Sequence, residues 1–159
     1  MKLKDKTKKI IYWLPAFLWM IVIFIVGSVR VDFKGDNINL VSKVLMILKD
    51  FLYKKRDVWA FAMLLSENLD RVYHTFEYSI LTLLVYYALK KTEDKTVREN
   101  AILTSMFVLI IGILDELHQI FIPTRFCSFF DLLADGIGIS LMIIFILIFQ
   151  LSVRRRNAV

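Results

Sequence analysis

Three short stretches of the chain carry residue types that move protons, hold metals or grip anions. His74, Glu77 and Tyr78 stand at i, i+3 and i+4, which on a helix puts them on one face. Asp115, His118 and Gln119 repeat that spacing with Glu116 beside them, and Asp131 and Asp135 follow at i and i+4 with Gly138 continuing their stripe. Arg125 lies between the last two groups. An imidazole near carboxylates suits general acid–base work. His74-x-x-Glu77 and Asp115-x-x-His118 can each present two ligands on one helical face, as in carboxylate sites of helix bundles. The Arg125 guanidinium is the group for bidentate capture of a phosphate or carboxylate. Nothing as specific as H-E-x-x-H is present, so no metal or other cofactor is assigned. A divalent cation enters only with the enzymatic reading below.

The elements that must position these groups are written in apolar blocks. The chain has 159 residues, 58% of them apolar, and a mean hydropathy of +0.62, above the roughly 45–50% apolar usage of soluble domains. Residues 10–27, 101–114 and 136–153 carry no charge. Crossing a bilayer core takes about 20 mostly apolar residues, so the expected fold is an all-α, polytopic integral membrane protein. It forms a single domain over 1–159, with four spans near 10–28, 71–89, 99–121 and 129–152. Thr96-x-x-Glu99 is a capping box ahead of the third span, and Pro123 stops that span because the residue before a proline is pushed out of helical geometry. The basic start followed by an apolar run imitates a secretory signal. The run is long for one, however, and Val26-Gly27-Ser28 is a weak cleavage site, so an uncleaved first span is expected.

The long first loop is patterned. Ile38, Val41, Val44, Leu45, Leu48, Phe51 and Leu52 recur at helical spacing, which predicts an amphipathic helical segment within about 37–66, lying in the membrane interface. Val58–Leu65 is too short to span and would re-enter the membrane or dock on the bundle. Net charge is +6, but the basic residues flank apolar blocks as membrane anchors do, so nucleic acid is not an expected partner. The single Cys127 excludes an intramolecular disulfide and cysteine metal clusters.

Lys and Arg concentrate at the N-terminus, in the 90–98 loop and in the C-terminal tail, whereas the short loop from Phe121 to Ser128 has only Arg125. The positive-inside rule then puts both termini in the cytoplasm of a cell membrane protein. Spans two and four carry their polar residues at the N-terminal end and span three at its C-terminal end. In an alternating topology those ends share one side of the membrane, here the outer one.

Ionisable residues within spans are costly and mark functional sites by default. Each also has a structural reading. Ser128-x-x-Asp131 matches a capping box, so Asp131 could serve only helix-end amides. His74 and Glu77 could be solvated at headgroup level, and Glu116 could turn toward the loop. Asp115 and Asp135 lie deeper and need partners. His74, His118 and Arg125 are the ones available. Gly136 and Ser140 form a small-x-x-x-small step expected to let a neighbouring helix approach closely.

The stretches Tyr73-His-Thr-Phe-Glu-Tyr-Ser-Ile-Leu81, Asp115-Glu-Leu-His-Gln-Ile-Phe-Ile-Pro-Thr-Arg125 and Ser128-x-x-Asp131-x-x-x-Asp135-x-x-Gly138 resemble the VanZ-like family of small bacterial membrane proteins. The resemblance covers all four spans. It implies a place in the cell envelope and a contribution to resistance against glycopeptides of the teicoplanin type.

Three functions compete. In the first, the chain is a non-enzymatic envelope protein that binds or shields a lipid-linked wall component or assists another membrane protein. Arg125, Asp115 and Asp135 are then its ligand-binding residues. In the second, it is an intramembrane phosphatase or transferase acting on a lipid headgroup. Its catalytic candidates are His74, Glu77, Asp115, Glu116, His118, Gln119, Arg125, Asp131 and Asp135. A transporter is the third, disfavoured because the carboxylates cluster at one end of the spans and not at the midplane.

Overall fold

The structure, a computed structural model, describes residues 2–28, 40–55, 68–123 and 127–156. Five helices account for nearly all of them: α1 Lys2–Ser28, α2 Leu40–Lys55, α3 Leu69–Thr92, α4 Val97–Gln119 and α5 Phe129–Arg156. There is no strand among the described residues. Residues 56–67, which include the Val58–Leu65 run, lie outside them, as does Arg125.

Helix boundaries follow local chemistry. Thr96 Oγ1 accepts from the Glu99 amide at 3.2 Å while the Glu99 carboxylate accepts from the Thr96 amide at 2.8 Å, so the expected capping box opens α4. At the other end, Phe121 N–H donates to His118 O and Ile122 N–H to Gln119 O, a tightened turn that ends the helix ahead of Pro123. Pro15 lies inside α1. Such prolines are tolerated in membrane helices because neighbouring groups satisfy the freed carbonyl.

Helix α3 is the centre of the bundle. It packs most extensively on α5 and also against α1 and α4. Leu81 and Val85 of α3 meet Ala16, Met20 and Ile23 of α1, Val108 of α4 and Ile139 of α5 in one buried cluster. Where α3 crosses α5 the backbones touch. A Cβ on Gly138 would stand 2.3 Å from Thr75 O, and the Thr75 and Ser79 hydroxyls each donate across to α5 carbonyls at 3.1 Å, those of Ala134 and Gly138. The expected close-packing step at Gly136 and Ser140 is therefore corrected. Nothing lies within 4 Å of a Cβ on Gly136, and Ser140 is exposed, because that face of α5 turns outward. The approach occurs on the Asp131–Asp135–Gly138 stripe instead.

The surface inverts the soluble pattern. Phe17, Ile25, Phe121, Phe145 and Ile148 are exposed while Asp115 and Asp135 are buried. In water so much exposed apolar area would drive aggregation; against lipid it is the stable arrangement. Among the described residues three helical stretches are long and apolar enough to cross a membrane: Thr7–Ser28, Val97–Gln119 and Phe129–Arg156. Helix α3 is not apolar enough to join them, and its place explains why. The face it turns to α1, α4 and α5 carries the buried His74 and Glu77, while Arg71 lies on its exposed side toward Asp131.

Candidate functional site

The bundle has two chemically different ends. At one, Lys9 of α1 pairs with Glu93 after α3 at 3.2 Å, near the basic ends of α3 and α5. At the other, all four long helices bring polar side chains together. His74 of α3 and Asp135 of α5 form its centre, with Nδ1 3.0 Å from Oδ1 and both side chains buried. The Tyr78 ring lies parallel to the His74 imidazole one turn further along α3. Glu77 is also buried. It accepts from the Tyr73 hydroxyl at 3.0 Å, while its backbone carbonyl accepts from the Trp19 indole of α1 at 3.0 Å. His74 and Glu77 are thus interior groups and not solvated helix-start residues.

Helix α4 contributes three buried groups. Gln119 Nε2 donates to Asp115 Oδ2 at 3.1 Å, one turn apart. Glu116 is buried too, and its Oε2 accepts from the Ser128 amide at 2.7 Å. His118 is half-buried and meets Ser28 Oγ, the last residue of α1, at 2.9 Å. Asp131 does not complete a capping box. The Ser128 hydroxyl accepts from the Asp131 amide at 3.3 Å, but the reciprocal bond to the Ser128 amide is taken by Glu116. The Asp131 carboxylate instead faces Arg71 at 4.0 Å, and Arg71 lies over the Phe130 ring.

Two glycines make room for the acids. A Cβ on Gly27 would stand 3.1 Å from Asp115 Oδ1, and one on Gly112 would stand 3.0 Å from Asp135 Oδ2. Those two oxygens and Glu116 Oε1 have no hydrogen-bond partner among the described residues. No Lys or Arg among the described residues pairs with Glu77, Asp115, Glu116 or Asp135. His74, Glu116 and Asp135 each offer one atom within 4.8 Å of the others, a separation that could hold a metal ion.

Beside this centre an open apolar groove of about 620 Å³ runs along α1, lined by Phe17, Met20, Ile21, Phe24 and Ile25 and ending at Ser28 and His118. Its volume falls in the ~300–1,000 Å³ range of ligand clefts.

The structure thus gathers His74, Glu77, Asp115, Glu116, Gln119 and Asp135 in the interior, puts His118 and Asp131 at its rim, and does not describe Arg125. Gly27, Ser28 and Gly112 were not among the sequence candidates. One signal was available for Ser28, since alternation puts the end of the first apolar run on the same side as the other polar ends.

An apolar outer surface around a polar interior drawn from four helices defines a helical-bundle membrane protein with a buried ionisable centre. The family model for VanZ/LLP1 matches residues 12–150, from within α1 into α5, and the chain belongs to that family. No curated protein and no solved structure matches the chain.

Proposed function

We propose that this protein crosses the cell membrane four times, with α3 as the central span, and binds the headgroup of a lipid-linked envelope component at its polar end. The observation that carries the reading is the groove along α1. An acyl or polyprenyl chain lying against Phe17, Ile21 and Phe24 would deliver its headgroup to Ser28 and His118, beside the buried acids. Arg125, which the sequence puts between α4 and α5, would hold a phosphate in bidentate fashion, and Asp115 and Asp135 would orient sugar hydroxyls or amines. Helix α3 has 24 residues, about 36 Å at ~1.5 Å per residue, enough for a core of ~30 Å. Positive-inside counting puts the termini in the cytoplasm and the polar end outside. Val44, Ile47, Leu48 and Phe51 form an exposed apolar stripe on α2, which suits that helix to the interface. Shielding a wall intermediate in this way would contribute to glycopeptide resistance of the teicoplanin type.

The test is native mass spectrometry of the protein in nanodiscs supplied with a polyprenyl phosphate. Retained lipid, lost in His118→Ala and in Phe24→Trp, is the expected result. Equal retention by all three proteins would refute the reading.

The His74–Asp135 pair favours a second reading, an intramembrane phosphatase or transferase, because a carboxylate that orients an imidazole is the arrangement of an activated base. Release of inorganic phosphate from the same probe, abolished by His74→Gln while lipid retention persists, would select it over simple binding.

A further inference from the structure

We propose that His74, Glu116 and Asp135 form a binding site for one first-row divalent cation, in the class of Mn²⁺ or Zn²⁺, at the polar end of the bundle. Each residue comes from a different helix, α3, α4 and α5, so no spacing along the chain announces the set.

Distance supports the site first. Ligand atoms held at ~2.0–2.2 Å from one ion stand at most ~4.4 Å apart. One atom from each of the three side chains lies within 4.8 Å of the other two, so closure needs a few tenths of an ångström, within rotamer adjustment.

The second observation is independent of that spacing. Glu116 is 3% exposed and Asp135 0%, and each keeps one carboxylate oxygen without a hydrogen-bond partner among the described residues, Glu116 Oε1 and Asp135 Oδ2. Buried carboxylates are normally fully paired or bound to metal, and here His74 serves only one oxygen of Asp135 and the Ser128 amide only one oxygen of Glu116. The only described guanidinium at this end is that of Arg71, which faces Asp131 and the Phe130 ring. A cation among the three ligands would satisfy the free oxygens.

The donor set selects the metal class. Two carboxylates and one imidazole suit Mn²⁺, Fe²⁺ or Zn²⁺ better than Ca²⁺ or Mg²⁺, which take oxygen ligands. The surroundings fit as well. Glu116 Oε2 is already oriented by the Ser128 amide, and the absence of a side chain on Gly112 leaves space for Asp135 Oδ2. Three protein ligands leave coordination positions open, and a phosphate brought to an otherwise acidic centre would find there the positive charge it needs. The site stands without the lipid reading, and its test is independent of it.

The experiment uses the full chain in phosphatidylcholine nanodiscs, stripped with EDTA and titrated with Mn²⁺ while electron paramagnetic resonance follows the free ion. The expected result is one bound Mn²⁺ per chain, displaced by Zn²⁺ but not by Ca²⁺, with ¹⁴N coupling from one imidazole in the bound spectrum. Losing even an outer partner of a metal site costs 10–100-fold in affinity, so Asp135→Asn and Glu116→Gln should each weaken binding about tenfold or more. Glu93→Gln, at the opposite end, should not. The wild-type spectrum alone can sink the proposal, whatever the variants do to folding. No stoichiometric Mn²⁺, bound Mn²⁺ without ¹⁴N coupling, or binding that Asp135→Asn and Glu116→Gln leave unchanged would overturn it.

Discussion

The backbone amide of Ser128 donates to Glu116 Oε2 at 2.7 Å, so the first turn of α5 is held in place by a carboxylate of α4. The bond ties Ser128 to the interior and locates one of the three proposed metal ligands. It also releases Asp131 from capping duty. Glu116→Ala should therefore cost about 1.5–3 kcal/mol, the worth of a hydrogen bond to a charged group. Asp131→Ala, which removes only a partly exposed pair at 4.0 Å, should cost about 1 kcal/mol or less. Thermal unfolding of both variants in detergent checks this. A larger loss for Asp131→Ala would mean that Asp131 caps the helix after all.

The crossing of α3 and α5 makes a sharper contrast. At Gly138 an added methyl would collide with the Thr75 carbonyl, which cannot move without the whole helix. Gly138→Ala should separate α3 from α5, costing roughly 1–3 kcal/mol as overpacking does, and Gly138→Val should prevent accumulation of folded protein. Gly136→Ala meets open space and should be neutral or stabilising by up to about 1 kcal/mol, the propensity gain of alanine over glycine. Similar melting temperatures for Gly138→Ala and Gly136→Ala would contradict the close approach.

His74 and Asp135 should be energetically coupled. Truncating one partner of a buried pair leaves the other uncompensated, a loss of about 3–5 kcal/mol, whereas replacing both with apolar residues of similar volume is often neutral. His74→Ala alone should destabilise strongly. His74→Phe combined with Asp135→Leu should recover most of that stability while abolishing Mn²⁺ binding. Additive losses in the double variant would show that the two side chains do not act as a pair.

Orientation can be read from Cys127, the exposed thiol at the polar end. A membrane-impermeant maleimide should label it in intact cells. A cysteine placed at Glu93 in a Cys127→Ser background should react only in inverted vesicles. The opposite pattern would turn the protein over in the membrane and put the polar end in the cytoplasm.

The sequence by itself determined the class of protein, because hydrophobic blocks of spanning length report directly on the solvent a helix needs. Helical periodicity also placed His74, Glu77 and Tyr78 on one face, and Asp131, Asp135 and Gly138 on another, since a repeat of 3.6 residues is a property of the helix alone. Alternation of the spans expected their polar ends on one side, and the bundle brings those ends together.

Tertiary structure alone decided what each polar residue meets. A periodic stripe does not say which neighbour it faces or how closely, because helix rotation and separation are settled by packing. So Gly138 and not Gly136 carries the close contact, His74 and not Arg125 is the described partner of Asp135, and Glu116 takes the capping bond that spacing had assigned to Asp131. Gly27 and Ser28 joined the site only when α1 was placed beside α4. The second expected span, α3, looked weakest in the sequence for the same reason. His74 and Glu77 are buried where α3 packs on the other helices, a fact about neighbours that no window of its own residues contains.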